Sequence, residues 1–147
     1  GRIETPEGRY LGEHLGLMYY TLGQRKGLGI GGQAGAGDEP WFVVDKDLAQ
    51  NRLLVAQGHD HPRLLKRGLD AAQMHWVSGR PPTMPLRCLA RIRHRQPLQC
   101  CEVLELGDGR CRVHFDQRQR AVTPGQSVVF YQGNDCLGGG VIEQTLE

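Results

Sequence analysis

Leu86-Arg87-Cys88-Leu89-Ala90-Arg91-Ile92-Arg93-His94-Arg95 alternates residue by residue. Leu86, Cys88, Ala90 and Ile92 fall on one side of an extended chain; Arg87, Leu89, Arg91, Arg93 and Arg95 fall on the other. Successive side chains of a strand point to opposite faces, so this is the pattern of a strand with one face against a core. The residues downstream continue in the same style. Cys101 to Leu106 and Arg110 to Phe115 flank Gly107-Asp108-Gly109, a hairpin signature. Pro124-Gly125 turns into Ser127 to Tyr131. Gly133-Asn134-Asp135 turns into Cys136 to Ile142, which Gly138-Gly139-Gly140 is expected to interrupt. About six short strands at regular spacing predict a small closed β-barrel, an architecture that leaves few edges exposed.

Upstream the pattern changes. Ser78 to Pro85 (SGRPPTMP) is proline-rich and offers a possible linker. Leu64 to Val77 reads either as a helical turn or as an extended segment, with Leu69, Met74, Trp76 and Val77 expected to pack between two halves. Trp41-Phe42-Val43-Val44 is rich in aromatic and β-branched residues and predicts a strand. Arg52 to Ala56 returns as its partner across the turn Asp47 to Asn51. Ile3 and Tyr10-Leu11 flank Thr5-Pro6-Glu7-Gly8, a short hairpin. The expected fold class is therefore mainly β. A small β-rich domain of hairpins with little helix occupies residues 1–64, and the barrel occupies residues 65–147.

Composition narrows the chemistry. Net charge is only +2, so no global field draws the protein to nucleic acid and any basic site must be local. All the lysines (Lys26, Lys46, Lys66) lie in the first half, and beyond them every Lys or Arg position is arginine, the residue suited to bidentate phosphate contact and base stacking. The five cysteines include no CxxC spacing, and Cys100 and Cys101 are adjacent. Reduced thiols in a cytoplasmic protein are the expectation. No apolar run has the length of a membrane span and no signal peptide is visible, so no membrane association is expected. The chain opens on Gly1 without a methionine and reads as a piece of a longer protein.

Three motifs invite a functional reading. Gly27, Gly29 and Gly32 match G-x-G-x-x-G, but a dinucleotide loop needs a strand before it and a helix after it. Gly23-Gln24-Arg25-Lys26 precedes, and Ala34-Gly35-Ala36-Gly37 follows, which cannot start a stable helix. A close-packed structural loop is the better account, with Arg25 and Lys26 kept as tRNA-binding candidates at its tip. His59 and His61 flank Asp60, but further ligands are missing nearby, so a solvated turn is expected and no metal. No nucleophile is paired with a base. The arginines of the opening stretch carry no acid among them, and with His94 and Gln96 beside them they fit RNA backbone contact with stacking on His94.

Several longer motifs then align with one family. Tyr20-Thr21-Leu22-Gly23-Gln24-Arg25-Lys26-Gly27-Leu28-Gly29, Trp41 to Asp47, Arg91 to Gln96, Ala121 to Gln126 and Cys136 to Ile142 together resemble the tRNA-specific 2-thiouridylases (MnmA/TrmU family) over essentially the whole chain. That resemblance implies an ATP-dependent enzyme that adenylates the wobble uridine of tRNA and replaces its oxygen with sulfur from a persulfide-carrying donor protein. It also implies three parts: a PP-loop ATPase domain, a small central domain and a C-terminal barrel similar to domain 2 of elongation factor Tu. This chain matches the second and third, the C-terminal two-thirds (central domain plus β-barrel), and carries none of the catalytic residues. No cofactor is expected on it; ATP belongs to the full-length enzyme. The tRNA-contact positions that carry over are Arg93, His94 (where the family often has tyrosine) and Gln126, directed at the anticodon arm. A monomer is expected. The alternatives are a protein-interaction module that docks the sulfur donor through a barrel edge or through Gly138 to Gly140, and a self-contained enzyme of another class.

Overall fold

The computed structural model describes residues 1–33 and 35–147; Ala34, one of the residues expected to be non-helical, lies outside them. The chain forms two compact units, Gly1–Leu65 and Lys66–Glu147. No helix among the described residues is long and apolar enough to cross a membrane.

The first unit is a small mixed sheet. Its strands are β1 (Arg2–Glu4), β2 (Tyr10–Glu13), β3 (Trp41–Asp47) and β4 (Arg52–Gln57), in the spatial order β2-β1-β4-β3. The two hairpins read from sequence are present as antiparallel pairs, β1 with β2 and β3 with β4. They join through a parallel pairing of β1 with β4. Ile3, Leu11, Val43, Leu53 and Val55 fill its core together with Tyr20 and Leu28 from the intervening segment. Glu4 is buried at the junction and lies between two guanidinium groups, Arg2 Nε at 2.5 Å and Arg52 Nη1 at 3.2 Å. The hydrogen bond from Arg2, helped by Arg52, holds the Glu4 carboxyl below the usual carboxylate range.

The second unit is the closed barrel. Its strands are β5 (Leu65–Trp76), β6 (Leu86–Arg91), β7 (Gln99–Gly107), β8 (Arg110–Arg120), β9 (Ser127–Gln132) and β10 (Asp135–Leu146), ordered β10-β5-β8-β7-β6-β9, with β9 pairing back to β10. Its interior holds Ala90, Val103, Val113, Val128 and Phe130, all fully buried, with Trp76 stacked on Phe130 at 5.9 Å between ring centroids. Between β7 and β8 the loop is Asp108-Gly109, both at positive φ, as a two-residue hairpin turn requires.

Three expectations about this half change. Of the two readings open for 64–77 the extended one holds, residues 65–76 being a strand, but Leu69 and Trp76 belong to the barrel core rather than to packing between halves; Met74 lies against that core and Val77 is exposed. The proline-rich stretch 78–85 joins β5 to β6 and so lies inside the barrel unit, not at its boundary. Gly138 to Gly140 does not interrupt the last strand. β10 runs through it with register shifts against both neighbours, the behaviour of a bulged strand.

β5 was hard to read because a charge sits inside it. Asp70 is fully buried, and its carboxylate accepts from Arg112 Nε at 2.8 Å, Arg112 Nη2 at 3.0 Å and Gln144 Nε2 at 2.6 Å. The Arg112 hydrogen bond, against the opposing effect of burial, keeps this carboxyl below its usual range.

Candidate nucleic-acid interface

β6 and β9 are neighbours, with Leu89 opposite Tyr131, Ala90 opposite Phe130 and Arg91 opposite Val129. Ala90 and Phe130 point into the barrel, so Arg91, Val129 and Tyr131 point out. Arg91 then reaches diagonally across the pair. Its guanidinium carbon lies 5.0 Å from the Tyr131 ring centroid, and Nη2 is 3.2 Å from the tyrosine hydroxyl. Its Nη1 donates to the carbonyl of His94 at 3.1 Å. That bond anchors the turn that follows β6.

The strand ends at Arg91, so Arg93 and Arg95 stand on a turn rather than on the strand face expected for them. Gln96 explains the break. Its side-chain oxygen accepts from the Ile92 amide at 2.9 Å, and its own amide donates to the Arg93 carbonyl at 3.2 Å. Its side-chain nitrogen donates to buried Gln119 on β8 at 2.6 Å. Arg93, exposed overall, aims Nη1 at the Ala121 carbonyl 3.4 Å away. Desolvation first, and the charge of Arg120 second, lower its pKa, though a guanidinium stays protonated. His94 is exposed on the same turn.

Gln126 arrives from another part of the chain. The Thr123 to Gln126 turn closes with the Gln126 amide on the Thr123 carbonyl at 3.2 Å. It is tied to β10 by the Gly125 amide on the Ile142 carbonyl and the Ile142 amide on the Gln126 carbonyl, both 2.8 Å. The result is an open groove of about 500 Å³ that Arg93, His94 and Gln126 line together with Arg91, Ser127 and Tyr131. None of its lining residues is acidic. Tyr131 and Ser127 were not singled out from the sequence. The available signal was the alternation of Ser127 to Tyr131, in which Val128 and Phe130 are buried and the residues between face outward.

The other candidates separate from this groove. Arg87 belongs to a bidentate ion pair with Asp116 of β8, Nη1 to Oδ1 at 2.9 Å and Nη2 to Oδ2 at 2.6 Å. The acid missing from the arginine stretch is thus supplied by a strand that is not its neighbour in sequence. Arg25 and Lys26 are exposed in the first unit, on a loop docked against β3 by the Gly23 amide on the Val43 carbonyl at 2.8 Å and the Val43 amide on the Gln24 carbonyl at 2.9 Å. β3, not a helix, is the next element after Gly27 to Gly32, and Leu28 is turned into the core, so the segment lacks the turn-to-helix geometry of a dinucleotide loop. His61 Nδ1 accepts from the Arg63 amide at 3.1 Å and caps a 3-10 turn, while exposed His59 contacts Asp60. Among the described residues no three His, Cys, Asp or Glu side chains gather as metal ligands. Cys88 and Cys101 face each other across β6 and β7 with their sulfurs 3.8 Å apart, and Cys111 is buried, its thiol pushed up to about 11 by desolvation. Burial, with the Glu105 charge opposite, keeps the Cys111 thiol protonated and so a poor nucleophile.

Comparison with known proteins matches this architecture unit by unit. Residues 1–57 match the tRNA methyl transferase PRC-barrel domain, and residues 66–142 match the aminomethyltransferase beta-barrel domain. A tRNA-specific 2-thiouridylase MnmA of Marinobacter nauticus is 61% identical over 145 residues, 99% of this chain and 37% of the relative. The MnmA of Yersinia pestis strain Pestoides F is 60% identical over 144 residues, 98% of this chain and 39% of the relative. The chain belongs to the tRNA-specific 2-thiouridylase family. Within that family it spans well under half the length of these relatives. The expected share of two-thirds is too large: the chain covers 37% to 39% of these relatives' length.

Proposed function

We propose that this chain is the tRNA-binding portion of an ATP-dependent 2-thiouridylase that thiolates the wobble uridine. Arg93 contacts backbone phosphate, His94 stacks or hydrogen-bonds, and Gln126 positions the anticodon arm. The observation that carries this reading is the groove itself: residues from two separated turns converge on one concave, acid-free surface. A cationic concavity concentrates phosphate, and single-stranded RNA supplies the unstacked bases such a surface takes. Arg25 and Lys26 add a second cationic position in the first unit. ATP use, transfer of sulfur from a persulfide donor protein and cytoplasmic residence are properties of the full-length enzyme under this reading, and the chain is a monomer without a catalytic centre or cofactor of its own.

The rival reading, a module that docks the sulfur donor, finds less support. The barrel closes on itself, so its strands offer no free edge, and the glycines at 138–140 lie against neighbouring backbone rather than outward. The deciding experiment is a salt titration of tRNA binding. With Arg93→Ala, the slope of log affinity against log salt should fall by about one unit and affinity should drop at every tRNA sequence tested. An unchanged slope removes Arg93 from the interface. Capture of the donor protein undiminished by excess tRNA, with no tRNA binding by the chain, replaces this reading with the docking one.

A further inference from the structure

We infer that the part of the groove walled by Arg91 and Tyr131 is a nucleobase site, taking one unstacked base of single-stranded RNA beside the phosphate contacts. The inference rests on the RNA reading above and adds to it a base-recognising surface that phosphate binding does not require.

The first argument is that Arg91 is not arranged as a phosphate clamp. A guanidinium that binds phosphate bidentately directs two donors outward as a fork. Here one donor is committed to the His94 carbonyl at 3.1 Å and another to the Tyr131 hydroxyl at 3.2 Å. What remains are three N–H groups and the guanidinium plane itself, which lies over the tyrosine ring with its carbon 5.0 Å from the centroid. A tyrosine ring and a held guanidinium are the two side-chain surfaces on which unstacked bases stack.

The second argument concerns shape and rim. The cavity of about 500 Å³ falls within the range of small-molecule sites, roughly 300–1,000 Å³. Ile92 and Val129 give it apolar walls, while Gln126 and Ser127 border it with groups that donate and accept hydrogen bonds. An apolar slot with a flat aromatic side and a polar rim suits a base better than it suits a phosphate, whose oxygens need donors on every side. Arg93, on the adjoining turn, is placed to hold the backbone of the same nucleotide, and His94 lines the groove beside it.

The third argument is rigidity. Tyr131 stands on β9, opposite Leu89, and its neighbour Phe130 is fully buried in the barrel. The platform is therefore set by two paired strands and loses little freedom on binding.

The test compares two RNA hairpins of equal charge: one with an all-uridine loop, the other with abasic ribose throughout the loop. Phosphate contributions cancel between them, so their affinity ratio reports base contact alone. The wild-type chain should bind the uridine hairpin roughly tenfold more tightly. Tyr131→Phe should keep that ratio, because the ring survives. Tyr131→Leu, which keeps a strand-compatible apolar side chain, should lower it severalfold, leaving only what His94 contributes. Should Tyr131→Leu fail to fold, the wild-type ratio decides, joined by the Tyr131 ring resonances, which should shift with the uridine hairpin and not with the abasic one. Equal affinity of the wild-type chain for both hairpins overturns the base site and leaves the phosphate reading standing. A full ratio in folded Tyr131→Leu also overturns it. Failure of the chain to bind either hairpin overturns both readings.

Discussion

Two glycine-rich segments invite the same first impression and work by different physics. Gly27, Gly29 and Gly31 in the first unit have φ of 78°, 68° and 58°, the left-handed region. A Cβ at Gly29 or Gly31 would meet nothing within 4 Å. Gly138, Gly139 and Gly140 in the barrel are limited by space. A Cβ there would stand 2.2 Å from the His75 carbonyl oxygen, 2.6 Å from that of Val128, and 2.5 Å from the Met74 sulfur, respectively. The loop glycines shape a path that carries Leu28 into a core. The strand glycines let β10 approach β5 and β9 closely enough to close a barrel. Glycine density alone therefore says little about ligands. The question that separates the cases is whether a side chain is excluded by dihedral or by a neighbour.

The sharpest break between them is Gly138→Ala. This position combines φ of 153° with backbone atoms on its open side, including Trp76 Cα at 3.0 Å. Neither the carbonyl nor the Cα can swing away as a flexible side chain would. The substitution should destabilise the barrel by about 4 kcal/mol, at the extreme of single-site effects. Thermal unfolding followed by tryptophan fluorescence checks it, since Trp76 lies in that core. A loss under 1 kcal/mol would mean that the seam between β10 and β5 gives way easily, and the contrast with the loop would lapse.

Next in size comes Leu28→Ala. If the glycine loop exists to deliver an apolar side chain, then the energy resides in Leu28, which is 6% exposed and packed in the first unit's core. Truncation should cost about 3 kcal/mol in that unit, the ordinary range for a buried leucine. Hydrogen exchange resolves it, because protection should fall on β3 and β4 while the barrel amides keep theirs. Unaltered protection in β3 and β4 would show the loop to be an ornament of the sheet rather than part of its core.

The barrel half was legible where one rule governed each position. Alternation fixed the faces of Leu86 to Arg91, and the glycine-bearing turn placed the β7–β8 hairpin. Legibility failed where distant partners decide. Asp70 breaks the apolar pattern of β5, and only the Arg112 and Gln144 side chains, far along the chain, make its burial tolerable. Alternation also runs on through Ile92, Arg93 and Arg95, although the Gln96 side chain has already ended the strand. Nothing in period-two patterning detects that. The groove shows the same division. The arginine stretch with His94 points to RNA from its pattern, whereas Gln126 and the choice of Arg93 among the arginines come only from the family resemblance. Patterning does not mark Tyr131, because a strand residue of that type needs no explanation until Arg91 reaches it diagonally from the next strand. Asp116, which neutralises Arg87, comes from two strands away. Charge patterns along one strand are incomplete until its neighbours are known.

The smallest effect isolates the dihedral term itself, and a paired substitution makes it readable. Gly29 and Gly32 both have open space where a Cβ would go, but only Gly29 has a positive φ. Alanine at Gly29 must hold the left-handed conformation, which costs roughly 1 kcal/mol. Alanine at Gly32 meets no such demand and narrows the unfolded ensemble, so it should leave stability unchanged or raise it by about 0.5 kcal/mol. The two changes add the same methyl group four residues' reach from Leu28 or less, so solvation and propensity largely cancel in their difference. Chemical denaturation of the two variants side by side measures that difference. A Gly29→Ala protein as stable as Gly32→Ala would remove the dihedral explanation for the loop glycines and leave their number without a physical cause. A gap near 1 kcal/mol, set against the far larger loss at Gly138, where both demands act together, would separate the dihedral share from the steric one.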